Sequence, residues 1–238
     1  MGVKSGMLIC SLTLLATSTA CLASGGGAMG GGRMGGGSGM SDAAPQSPQD
    51  QAKVYYNQGV REVGKAKSHD DDAAKATDDK KAAKYSEKAQ KSYASALEYF
   101  QKAVDNDPGL FQAWNYVGFC ERHLGQYEDA LDAYGKALEL NPQYGEAYEY
   151  RAEAYLGLNR LDDAKASYIR LFSTARPLAD ELMTSMHRWV EQRQHDAKGV
   201  SAEDLAAFAQ WVNERTAVAQ QTASLWTDTA SKKHIDWN

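Results

Sequence analysis

The chain has 238 residues, 24% of them charged, and a formal net charge of −5. That length suits one or two domains, and the acidic balance argues against a nucleic-acid reader, which needs a basic face. Three cysteines are too few for a disulfide framework, and the five histidines are scattered, with no pair at a metal-ligand spacing such as HExxH.

At the N-terminus, Lys4 precedes an apolar run from Met7 to Ala16. About ten residues are too few to span a bilayer and suit a secretory signal. Residues 1–23 are therefore expected to be a signal peptide, and the protein to be exported. Small residues follow, from Thr17 to Ala23, and leave two endings open. One is cleavage near Ala20 or Ala23. The other is lipidation of Cys21, because Ser18-Thr19-Ala20-Cys21 resembles a bacterial lipobox, with Ser18 where leucine is usual. The destination is then periplasmic or lipid-anchored in the cell envelope. Residues 24–50 form a Gly/Met/Pro-rich linker that cannot bury enough surface to fold and is expected to be disordered. As a flexible tether it would reach roughly 30 Å. Met29, Met34 and Met40 offer a second reading, as soft thioether ligands for copper(I).

Helical patterns begin at Gln51. The first helix reads AKVYYNQGVREVG, with Tyr55 and Gly59, and its partner carries Tyr93, Ala96, Phe100, Ala103 and the stop Pro108. Between them lies an insert, 65–82, rich in aspartate and lysine and expected to be solvated, helical or disordered. Its Asp70-Asp71-Asp72 and Asp78-Asp79 lack the spacing and terminal glutamate of a calcium loop.

A second unit spans Phe111 to Tyr144. Trp114, Val117 and Gly118 share one helical face, and Leu124-Gly125 ends that helix. Tyr127, Ala130, Leu131, Tyr134, Ala137 and Leu138 mark the next helix, which Asn141-Pro142 stops. Cys120, on the packed side of the first helix, reads as a small buried hydrophobe. A third unit repeats the pattern 34 residues on, through Tyr148, Ala152, Tyr155, Ala164, Tyr168 and Leu171. A period of this length means stacked helical hairpins, each unable to bury its apolar face alone.

Beyond residue 176, Leu178, Leu182, Met186, Trp189 and Val190 mark one helical face. Lys198-Gly199 breaks the pattern. Ser201-Ala202-Glu203-Asp204 then starts another helix, with Leu205, Phe208, Val212 and Thr216 at helical spacing. Residues 177–223 are expected to cap the open end of the stack. Trp189 and Trp211 leave open a docking or dimerising hairpin. Residues 224–238 read as a polar, fraying tail that holds Trp226 and Trp237.

These units resemble the tetratricopeptide repeat (TPR). The family pattern of W, L, G, Y, A, F/Y, A, P is met by Trp114, Val117, Gly118, Ala130, Tyr134, Ala137 and Pro142. Glu121 stands where a mid-helix tyrosine is usual, and Arg176-Pro177 arrives one residue late. The resemblance covers about Gln51 to Phe172. It implies an all-α solenoid of about three repeats over residues 51–176, the first split by the insert, with a C-terminal helical cap. It also implies a non-enzymatic protein-binding scaffold that needs no metal or cofactor, and no catalytic constellation stands out against that.

In the family, the first helix of each repeat lines a concave groove. The corresponding positions are Tyr56, Val60 and Val63, then Gln112, Asn115, Phe119, Arg122 and His123, then Glu146, Glu149 and Glu153. They are expected to face away from the packing stripe. The groove would run from apolar and aromatic to acidic, suiting a partner segment with a basic end. The offsets of the family's carboxylate clamp hold Tyr56, Val60, Tyr116, Glu146 and Tyr150, so that clamp is absent. The alternatives are a self-associating structural repeat protein and the copper(I) tether.

Overall fold

The computed structural model describes residues 47–232, with side chains to residue 222. The signal segment, Cys21, residues 24–46 of the linker and Trp237 lie outside the described residues, while residues 48–50, expected to be disordered, open the first helix behind the capping Ser47. Eight helices follow in order: α1 (Pro48–Lys75), α2 (Asp79–Asn106), α3 (Phe111–His123), α4 (Tyr127–Leu140), α5 (Gly145–Gly157), α6 (Leu161–Thr174), α7 (Arg176–His195) and α8 (Ala202–Lys232). No strand occurs among the described residues. Consecutive helices pair into hairpins, and the hairpins stack in chain order.

The 34-residue period is visible as repeated burial. Ala96, Ala130 and Ala164 are all fully buried, as are Phe100, Tyr134 and Tyr168, and Ala103, Ala137 and Leu171. Each large ring sits against a small residue of the first helix in its hairpin. A Cβ on Gly118 would stand 2.8 Å from the Tyr134 ring and 2.9 Å from the Ala130 carbonyl oxygen, and one on Gly59 would stand 2.7 Å from the Phe100 ring. The turn after α3 uses Gly125 at φ 81°, and the turn one period later uses Asn159 at φ 59°. Glycine takes this left-handed backbone freely, and asparagine tolerates it.

The insert is not a separate loop. It prolongs both helices of the first hairpin, so that α1 and α2 each have 28 residues and α3 has 13. At 1.5 Å per residue, each long helix is about 42 Å and α3 about 20 Å. Small residues, Ala66, Ala73 and Ala89, are buried along the extension. The Tyr93 hydroxyl donates to Asp70 Oδ2 at 2.7 Å, and His69 stacks on Tyr85. Asp78 caps α2 by accepting from the Lys81 amide.

Two main cores result. One joins α1, α2 and α3 around Tyr93, Phe100, Val117 and Phe119. The other joins α5 to α8 around Tyr168, Leu171, Leu182, Met186 and Phe208. The second closes the stack. Trp189 meets Phe208 edge-on, and Trp211 stacks on Phe208 and meets Tyr168 edge-on. Ser201 starts α8 as a capping residue, accepting from the Asp204 amide and donating to its carboxylate. The helix continues through the start of the segment read as a fraying tail, as far as Lys232. Among the described residues, no helix is long and apolar enough to cross a membrane.

Candidate partner-binding groove

The odd-numbered helices touch one another directly, α3 on α5 and α5 on α7, whereas the even-numbered helices pack mainly on the odd ones that flank them. The array therefore curves with the odd helices inside, and their free faces line the concave side.

Three zones follow along it. The first is aromatic. Tyr56 meets Phe100 and Tyr116 edge-on, both at 5.7 Å, and Tyr116 stacks on Phe100 at 4.8 Å. Burial, then Tyr116, pushes the Tyr56 hydroxyl up to about 12. The second zone is a buried charge network. Arg122 Nη1 lies 2.8 Å from Glu153 Oε2, and Glu153 accepts a second bond from Ser185 Oγ. The guanidinium also lies against the rings of Phe119 and Tyr150, and Lys67 reaches over Phe119. Burial lowers the Lys67 ammonium, with Arg122 adding to it. Burial holds the Glu149 carboxyl up to about 9, with Glu153 adding to it. Burial also holds His123 well below the usual imidazole range, aided by Arg122 and Lys67. That ring stacks on Tyr93 at 4.2 Å. The third zone is a cleft of about 440 Å³ between the C-terminal ends of α3, α5 and α7, lined among others by Arg122, Glu153, Ser185, Arg188, Trp189 and Arg193.

The residues expected to line the groove divide sharply. Val60 and Glu146 are exposed, and Tyr56, Gln112 and His123 are partly covered. Val63, Asn115, Phe119 and Glu149 are not surface residues, with 4%, 1%, 2% and 3% exposure. The side chains of Arg122 and Glu153 keep only 12% and 8%. A position that faces away from its own hairpin partner can still meet neighbouring helices, whose side chains cover it. The acidic end is corrected for the same reason. Glu149 is buried, and Glu153 is held by Arg122 and Ser185, so of the three carboxylates only Glu146 faces solvent. The sequence reading also missed Tyr116 and Tyr150 as ring partners, and the polar face of α7. Ser185, Arg188 and Gln192 lie at helical spacing, a signal present in the sequence but passed over because the opposite, apolar face marked α7 as a cap.

Among the described residues, no group of three or more histidine, cysteine, aspartate or glutamate side chains is placed to hold a metal ion. The methionines of the copper(I) reading lie outside the described residues. Cys120 is free and buried, and burial pushes its thiol well above the ordinary range. Glu121, in the place of the pattern's tyrosine, is half-buried, and burial, then Asp129, raises its carboxyl to about 7.

Stacked hairpins with their first helices on the inner face define a helical-repeat module. Residues 111–144 match one tetratricopeptide repeat profile and residues 133–166 a second. Across residues 111–166 the chain therefore carries tetratricopeptide repeats. No curated relative matches the sequence. Solved structures with similar parts include the first TPR of Spaghetti (RPAP3) bound to the HSP90 peptide SRMEEVD. It has a TM-score of 0.44 and 20% identity, over 59% of this chain and 94% of that one. The Hsp90 co-chaperone Cns1 from Saccharomyces cerevisiae (delta69) gives 0.40 and 14%, over 80% of this chain and 47% of that one. The MamA protein gives 0.34 and 21%, over 64% of this chain and 97% of that one.

Proposed function

We propose that the protein is a non-enzymatic interaction scaffold that holds a segment of a protein partner on its concave face. The observation that carries this is the open cleft at the C-terminal end of a face otherwise closed by rings and paired charges. The aromatic zone, with Tyr56 partly covered and Val60 exposed, offers an apolar approach to it. A basic end to the partner would have only Glu146 to meet, since Glu149 is buried and Glu153 is paired. Self-association through the C-terminal hairpin is the alternative. Trp189 and Trp211, which suggested it, pack within the chain.

Export is part of the same reading, supported by Lys4, the short apolar run and the small residues around Cys21. The scaffold would then work in the cell envelope, on a tether or free in the periplasm. The mass of the mature N-terminus tests this. An acylated Cys21, or a start just after Ala20 or Ala23, is expected, and an intact Met1 would sink it.

A photo-crosslinking residue placed in turn at Val60, Arg188 and Ile169 tests the groove in the native cell. Ile169 lies on α6, outside the concave face, and is 56% exposed. Partner adducts are expected from Val60 and Arg188. Adducts from Ile169 at the same yield would defeat the groove reading.

A further inference from the structure

The third zone of the concave face has a charge of its own. Four cationic side chains line the cleft, Arg122, Arg188, Arg193 and Lys198, the last 3.9 Å from the Asp196 carboxylate, against one lining carboxylate, Glu153. That carboxylate is already committed, to Arg122 at 2.8 Å and to the Ser185 hydroxyl. The pair neutralises Arg122 and leaves the α7 arginines in excess. Arg188 makes no ion pair among the described residues. Arg193 lies against the Trp189 ring at 5.1 Å, and its Nε is buried without an acceptor. The Trp189 indole N–H donates to the Leu156 carbonyl at 2.7 Å, which fixes the ring as a wall.

Helix ends explain only part of this. Arg122 and Arg193 sit in the last turns of α3 and α7, where cations offset the carbonyl ends. Arg188 lies about one and a half turns before Arg193, outside the last turn, and has no such role. Ser185, Arg188, Trp189, Gln192 and Arg193 also follow one another at helical spacing along a single face of α7. A polar, cationic stripe with a fixed ring, opening on about 440 Å³, has the size and lining of a ligand cleft.

We propose that this cleft receives an acidic stretch of the partner polypeptide. Its carboxylates pair with Arg188 and Arg193, and its backbone lies along the α7 face that carries them. Guanidinium groups favour this chemistry because they meet carboxylates through two parallel hydrogen bonds. A peptide fits better than a nucleic acid or a lipid surface. The chain carries a net charge of −5, and the arginines stand inside a cleft walled by three helices. The inference rests on the groove reading and adds the charge of the ligand and the end that reads it.

Panning a phage-displayed library of short peptides against the full chain tests it. Peptides rich in Asp and Glu are expected. Synthetic copies, followed by fluorescence anisotropy, should weaken as salt rises from about 0.05 to about 0.5 M. They should lose at least about tenfold in affinity on R188E/R193E. R188Q/R193Q, with circular dichroism on both variants, guards against misfolding and should show a smaller loss in the same direction. Selected peptides without acidic enrichment, or acidic peptides that bind all forms equally, would overturn the inference. If selected peptides lose affinity on Val60→Asp but not on R188E/R193E, the groove reading stands and this inference falls. If no peptides are selected while anionic vesicles or an oligonucleotide bind through the same arginines, both fall.

Discussion

The two ends of the concave face are built from the same repeat, yet they use their polar residues in opposite ways. At the α1–α3 end, Tyr56, Phe100, Tyr116 and Phe119 close on one another, and the neighbouring polar groups are buried with them. At the α5–α7 end a cleft lies between the helix ends, and arginines line it. The difference shows that a repeat offset does not by itself make a binding position. What decides is which side chains of the neighbouring helices stand against that position.

The largest effect should come from breaking the closed end. Phe100 is fully buried between Gly59 and Tyr116. Phe100→Ala is expected to cost about 3–5 kcal/mol, read as a lower urea midpoint.

The charge network between the two ends comes next. Arg122→Met leaves Glu153 buried with no cation, and a loss of about 3–5 kcal/mol is expected. Arg122→Met with Glu153→Met should recover much of it, because no orphaned charge remains. A double variant no more stable than Arg122→Met alone would show that packing, not charge pairing, holds this zone.

Glu149 gives a smaller effect with a pH signature. Its carboxyl titrates at about 9 in the folded chain, against an ordinary 4.5. Between those values the folded state keeps a proton that the unfolded state has released. Stability therefore falls as pH rises through that window. Glu149→Gln removes the loss, and its melting temperature should exceed that of the parent by a few degrees at about pH 8 and match it at about pH 4. A gain of the same size at both pH values would point to packing instead. His123 has the opposite sign. Its depressed pKa costs stability as pH falls below the ordinary 6.5, so the acid comparison must be made within one pH for both proteins.

The smallest effect separates exposed from covered positions. Glu146→Lys should change stability by less than about 0.5 kcal/mol, as surface changes do. Glu149→Lys, one turn on, should be poorly tolerated. Equal melting curves for the two would erase the distinction between the zones.

Much of this architecture was legible because its signals are local. Proline at 142, glycine at 125 and serine at 201 act through their own backbone and immediate neighbours. The 34-residue spacing identified the rings and the small residues opposite them. The insert was harder. Its lysines and aspartates read as solvent-facing, and only the pairing of α1 with α2 showed that Ala66, Ala73 and Ala89 extend the hairpin seam. The groove was half legible. Val60 and Glu146 face outward as their offsets require, whereas Asn115 and Glu149 occupy equivalent faces and are buried.

The sequence by itself determined the hairpins, their stops and the period at which they stack, since helical spacing and turn chemistry depend on residues a few positions apart. It also determined which side of each first helix turns from its own partner. Only the tertiary structure decided what that side meets. The side chains that neighbouring helices bring up set whether a polar group finds water, a counter-charge or a ring. That placement buried Glu149, paired Arg122 with Glu153, and left Arg188 lining an open cleft.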